Sequence, residues 1–314
     1  MKKAIIIILA IVTIALFALL VIKNRNMLSY IRVKIAQKQL NICRLYPQNN
    51  TVNIVAITDS NFITPLNVAI YSAVKNKNEN SKYNFYIVGI DLNEDDVKEI
   101  TKQSTEETPV TVVQNNNIYD FYALGYLSHV PVADFFKFNI PDLFPNFDKM
   151  LYIDGDIIIQ KDLSDLYNLN IENDYAAACY DENYIPSSLE KKLGLDTYFN
   201  NGILLLNLKK MREDNIPDKM IKFRLLKPLD RYVTQDTYNV ILRNNVKELD
   251  ETYNTCPNYI DETEFEDVDK FLESRAIIHY AGVHKPWKDP EIMYASAWEK
   301  YYQELVNKEK TDTR

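Results

Sequence analysis

Apolar and polar positions along this chain fall into blocks that predict strands and helices in turn, after an opening block of a different kind. Ala4 to Ile22 runs without a charge, a Pro or a Gly. As a helix this stretch spans roughly 28 Å, close to the ~30 Å apolar thickness of a bilayer. Lys23-Asn24-Arg25-Asn26 follows, where a cleaved signal peptide would carry small residues. Residues 1–25 are therefore read as an uncleaved single-pass anchor, with a cleaved leader as the competing reading. Residues 26–50 are read as a basic linker. Within it Leu28, Ile31 and Ile35 alternate with Arg32, Lys34 and Lys38, which fits either a helix lying on an anionic surface or a solvated spacer helix.

The remainder reads as alternating strands and helices. Val52–Thr58 is β-branched and ends at the polar turn Asp59-Ser60-Asn61, and Pro65–Asn76 has helical spacing at Leu66, Ala69, Ile70 and Ala73. Tyr83–Val88 is a second strand, and Asn93-Glu94-Asp95-Asp96 opens a helix with acids at its positive end. Val110–Val113 is a third strand. This alternation predicts an α/β domain over 51–290 around a parallel sheet covered on both faces, with ligands beyond the carboxyl ends of the strands. Residues 291–314 are read as a closing helix and a frayed tail from Lys308.

Charge divides the chain. The net charge is −8, yet residues 1–46 hold eight basic residues and no acid, so the rest carries 28 basic against 44 acidic residues, a net of −16. A body this acidic is repelled by nucleic acid and suits divalent cations. The excess of Lys and Arg after the apolar block predicts a body facing the cytoplasm. A Golgi-type lumenal body, with Asn49-Asn50-Thr51 as a glycosylation sequon, is the rival. The cysteines Cys43, Cys179 and Cys256 are odd in number and lack metal spacing, so free thiols are expected.

Three segments carry chemistry. In Lys149–Ile159, Asp154 and Asp156 interrupt an apolar run, and carboxylates in such a setting must be paired, protonated or bound to a cation. Oxygen ligands at i and i+2 suit Mn2+ or Mg2+ holding a diphosphate. The other such pair, Asp267 and Asp269, lies in the acidic run Glu262–Asp269 and reads as a solvated face. Asn200-Asn201-Gly202 opens the strand Ile203–Leu208. His279-Tyr280-Ala281-Gly282-Val283-His284-Lys285 follows the strand Ala276–Ile278 and sets an imidazole, a Gly and a Lys together, which reads as a diphosphate site, with a satisfied structural His as the alternative.

The order of these segments resembles glycosyltransferase family 8, the group of bacterial lipooligosaccharide galactosyltransferases and glycogenins. The resemblance covers about 51–290. It rests on Ile54–Phe62, Ser128-His129-Val130 with Phe135-Phe136-Lys137, Tyr152–Asp156, Tyr198–Gly202, and His279–Gly282 with Lys285-Pro286-Trp287. It implies a Rossmann-like GT-A fold, a UDP-sugar donor, a retaining transfer of glucose or galactose, and a saccharide acceptor, free or lipid-linked. Asp154, Asp156 and His279 match the metal ligands. Asp59, Asn61 and Phe62 match the uridine site, Gly282 and Lys285 the diphosphate contacts, and His129 a position near the donor. Asn200 and Gln235 match residues around the donor sugar, with Asp181 their acidic neighbour. Two departures stand out. Lys137 occupies a position that is often Arg, and Thr234 one that is often an acid; both fall near the sugar.

Retention requires either a protein nucleophile or same-face attack assisted by the departing phosphate. Gln235 is a neutral amide and a poor nucleophile, so same-face attack is expected. Rival functions are an Asp-nucleophile hydrolase or phosphotransferase, a catalytically degenerate UDP-sugar binder, and a membrane tether. Ile157 and Ile158 stand where the Asp-nucleophile motif usually has a Thr.

Overall fold

The computed structural model describes residues 2–116, 121, 124, 132–180, 191–226 and 233–312. Its main sheet has seven strands in the order β3-β2-β1-β4-β7-β6-β8. These are β1 (Thr51–Thr58), β2 (Lys82–Ile90), β3 (Val110–Asn115), β4 (Lys149–Ile153), β6 (Ala176–Ala178), β7 (Ile203–Asn207) and β8 (Val246–Glu248). A separate two-stranded ribbon joins β5 (Ile157–Ile159) to β9 (Ile277–His279).

Strands β1 to β4 are parallel, as the strand–helix alternation predicts. The sheet is not parallel throughout, because β7 runs antiparallel to both β4 and β6. Strand pairing between β4 and β7 is a non-local choice that local periodicity does not encode. Both faces of the central strands are covered, which explains their near-continuous apolar character. Ile54 and Ala56 of β1 pack into one core and Val55 into the other.

The helix Ile63–Asn76 lays Leu66, Ala69, Ile70 and Ala73 against the sheet. Asn93 caps the helix Glu94–Thr101 through a reciprocal capping box with Asp96. Asp267 caps the helix Val268–Glu273, so this second acidic pair serves a helix terminus. The closing helix runs Ala295–Asp312 and includes the positions expected to fray.

The N-terminal helix continues past the apolar block to Lys38. Its lower part docks on the body: Val33 and Ala36 are buried in the core, while Leu28, Ile31 and Ile35 stay exposed. The Tyr30 hydroxyl donates to Asp218 at 2.6 Å, Lys34 lies 3.3 Å from the same carboxylate, and the Gln37 amide donates to Asn139 at 2.5 Å. Ala10–Gln37 is apolar and long enough to cross a membrane, a weak indication by length and composition alone.

Candidate active site

The carboxyl ends of β1 and β4 open into a cleft of about 560 Å3. Asp59, Phe62, Asp134, Lys137, Tyr152, Asp154, Asp156, Asn200, Gln235, His279, Gly282 and Lys285 are among its lining residues. The chain leaves β4 at Ile153, turns through Asp154-Gly155-Asp156 and re-enters as β5. What looked like one interrupted strand is therefore two, and the break holds the carboxylates at the mouth. Ile157 pairs with His279 in the ribbon, and the Tyr280 amide donates to the Asp156 carbonyl at 2.9 Å. That register delivers the imidazole beside the acids.

One ligand atom from each of Asp154, Asp156 and His279 lies within 4.8 Å of the others. His279 Nε2 is 3.4 Å from Asp156 and 3.8 Å from Asp154. His279 Nδ1 is 2.8 Å from Asn254 Oδ1, and Asn254 Nδ2 donates to Asn200 Oδ1 at 3.0 Å. With the Nδ1 proton given to Asn254, Nε2 faces the carboxylates as a ligand. Gly202 completes the cradle. A Cβ there would meet His279 Cε1 at 2.3 Å and Asp154 Oδ2 at 2.9 Å. Two carboxylates and one imidazole suit Mn2+ or Mg2+.

The charges are interlocked. Burial works to raise the Asp156 carboxyl, but the Lys285 ammonium and His279 hold it well below the usual range. Burial raises Asp154, and Asp156 adds to this against the opposing Lys137 and His279. Burial pulls the His279 imidazole down, yet Asp156 outweighs it and pushes the value up to about 10. Lys285 is ion-paired to Asp156 and donates to the Tyr280 carbonyl at 2.7 Å. Lys137 is buried, 2.8 Å from Asp134 and 3.0 Å from Asp154. It therefore touches a candidate metal ligand.

Other expected residues are placed as follows. Asp59 accepts the Asn61 amide at 2.9 Å, a turn that brings its carboxylate to the cleft. Phe62 also lines the cleft and packs edge-on against Trp287 at 5.5 Å. Asn61 is exposed and outside the lining. Gly282 adopts φ +89°, where a Cβ would also meet the Tyr259 hydroxyl at 2.9 Å. Gln235 Oε1 accepts the Asn201 amide at 3.2 Å. His129 and Asp181 lie outside the described residues. Sequence reasoning missed Asn254, Asp134 and Tyr259, none of which stands in a recognisable motif. The i, i+3 spacing of Asp134 and Lys137 was the only available hint.

The open α/β sheet, with paired acids, an imidazole and a Lys at its carboxyl edge, has the GT-A fold. The chain matches the glycosyl transferase family 8 model over residues 53–291 and belongs to that family; it is a hexosyltransferase. It is 26% identical over 275 residues to a lipopolysaccharide 1,2-glucosyltransferase of Escherichia coli, covering 83% of this chain and 79% of that one. It is 28% identical over 165 residues to a lipopolysaccharide 1,3-galactosyltransferase of Salmonella typhimurium, covering 49% of each. The galactosyltransferase LgtC, solved with donor and acceptor sugar analogues, superposes with a TM-score of 0.69 at 21% identity. That match covers 81% of this chain and 96% of LgtC.

Proposed function

We propose that this protein is a metal-dependent, retaining transferase that moves glucose or galactose from a UDP-sugar to a saccharide acceptor, free or lipid-linked. The observation that carries this reading is the Asp154, Asp156 and His279 cluster opening into the cleft beside Lys285. These three side chains would hold Mn2+ or Mg2+, which supplies charge neutralisation at a diphosphate. Asp59 and Phe62, with Asn61 nearby, form the uridine end. Gly282 offers a close backbone approach to the phosphates.

Transfer breaks the anomeric C–O bond and leaves its electron pair on the β-phosphate, where the Lys285 ammonium stabilises the developing charge. The acceptor oxygen attacks from the same face and its proton passes to the departing phosphate. Gln235 and Asn200 present amide groups to the oxocarbenium-like sugar, and Asp181 and His129 are assigned to the donor side by motif position. Asp181 remains the candidate nucleophile for the double-displacement alternative.

The basic flank after Ile22 supports an anchor at residues 4–22 and a cytoplasmic body, the side on which UDP-sugars are made. The deciding experiment incubates the full chain with Mn2+ and each common UDP-sugar and follows both UDP release and binding. Turnover of UDP-glucose or UDP-galactose supports the proposal. Binding without turnover for every acceptor tried identifies a degenerate UDP-sugar binder instead.

A further inference from the structure

The sugar end of the cleft holds a carboxylate anchored at both oxygens. Asp134 belongs to the 3-10 segment Val132–Asn139, and its side chain is 19% exposed at the cleft wall. Asp134 Oδ1 takes the Lys137 ammonium at 2.8 Å, and Asp134 Oδ2 takes the Thr234 hydroxyl. Thr234 Oγ1 in turn accepts from Asn201 Nδ2 at 3.1 Å, so its single proton is committed to Asp134. The polarity of the chain is thereby set: Asn201 to Thr234 to Asp134. Each carboxylate oxygen offers two acceptor positions, and among the described residues one on each is used. The remaining positions suit hydroxyl donors.

Thr234 directly precedes Gln235, which lines the same cleft. The chain has no acid at that position, yet a carboxylate stands in contact with it, delivered from a segment one hundred residues earlier. We propose that Asp134 is the residue that selects among donor-sugar hydroxyls, acting as the acid that the chain lacks at 234. The inference deepens the hexosyl-transfer reading and rests on it. A sugar whose hydroxyl meets Asp134 completes the network. An epimer that points the hydroxyl elsewhere leaves a half-buried carboxylate short of a donor, which is how polar sites reject close analogues. Lys137 offsets the carboxylate's charge, and Thr234 fixes its rotation.

The test is a charge swap in the full-length protein. Wild type, Asp134→Asn, Asp134→Thr, Thr234→Asp and the double swap Asp134→Thr with Thr234→Asp are compared. Each is assayed for kcat/KM with UDP-glucose and UDP-galactose, and for UDP binding by calorimetry with Mn2+. Losing a charged acceptor is expected to lower kcat/KM for the better donor by about 10- to 100-fold and to narrow the ratio between the two donors. UDP binding is expected to stay within about threefold, and the double swap to regain at least about tenfold over Asp134→Thr. Asp134→Asn keeps the shape and guards against a folding defect. An unchanged donor ratio overturns the proposal, as does a double swap no better than the worse single variant. Equal losses in UDP binding and turnover also overturn it, since Asp134 would then act only as a counter-ion for Lys137 beside Asp154. A wild-type protein that turns over no UDP-sugar removes the parent reading instead.

Discussion

Replacing Gly202 by Ala tests whether the cradle at β7 exists to make room for the metal-binding side chains. The added Cβ would sit 2.3 Å from His279 Cε1, 2.9 Å from Asp154 Oδ2 and 3.0 Å from Asn200 Oδ1. Ordinary contact begins near 3.4 Å, so the imidazole must retreat by about 1 Å or the backbone must move. Backbone movement gives no escape, because the Asp154 amide donates to the Gly202 carbonyl at 2.7 Å and would be dragged along. A misplacement of this size costs on the order of 100-fold in kcat/KM, or about 2.7 kcal/mol of transition-state stabilisation. Overpacking should cost ~1–3 kcal/mol of folding stability. The assay pairs Mn2+ calorimetry with UDP release and a thermal melt. Gly194→Ala is the control: its φ is +68° but nothing lies within 4 Å of its Cβ, so backbone strain alone appears. Gly202→Ala binding Mn2+ within about threefold of wild type would refute the reasoning.

Four further outcomes are expected. Asp154→Asn or Asp156→Asn should abolish transfer while leaving the melt intact, and EDTA should do so reversibly; full activity in EDTA would contradict this. Asp267→Asn and Asp269→Asn should cost little, since an Asn at 267 still caps its helix. Burial opposes ionisation of Asp162, but hydrogen bonds from Ser81, the Asn78 amide and Ser164 outweigh it and set its value at about 2. Its folded value lies below the unfolded one, so this stability is present above pH ~4 and is lost as pH falls toward 2. Urea melts of wild type and Asp162→Asn should therefore converge as the pH falls from about 4 to about 2, and parallel curves would disprove the linkage. Protease added outside intact cells should leave residues 47–314 uncut, whereas glycosylation at Asn50 would reverse the orientation.

Much of this architecture was legible because its signals are local. β1, β2 and β3 are compact β-branched or aromatic runs, and Asn93 with Asp96 spells out a helix start within four residues. Asp154, Asp156 and His279 could be picked out because charge inside apolar sequence is costly unless used. What escaped was non-local. The antiparallel entry of β7 depends on pairing with β4, and nothing near Ile203 announces it. Asn254 orients His279 from 25 residues away, and Asp134 meets Thr234 across a hundred. The docking of the N-terminal helix through Val33 and Ala36 also escaped, since the sequence offered only a surface-bound or a solvated helix there.

The docked N-terminal helix makes height above its base a selectable quantity. Lys2–Lys38 contains neither Gly nor Pro, the usual kink points, and its last turns are fastened to Asp218 and Asn139. From Ile22 to Lys38 such a rod measures about 24 Å. A flexible tether would let the cleft sweep a volume and meet acceptors in any attitude. If residues 4–22 anchor the chain as proposed, a strut would fix both distance and tilt relative to that anchor. Acceptors would then be sorted first by reach, since a hydroxyl held too near that base or too far from it never enters the cleft.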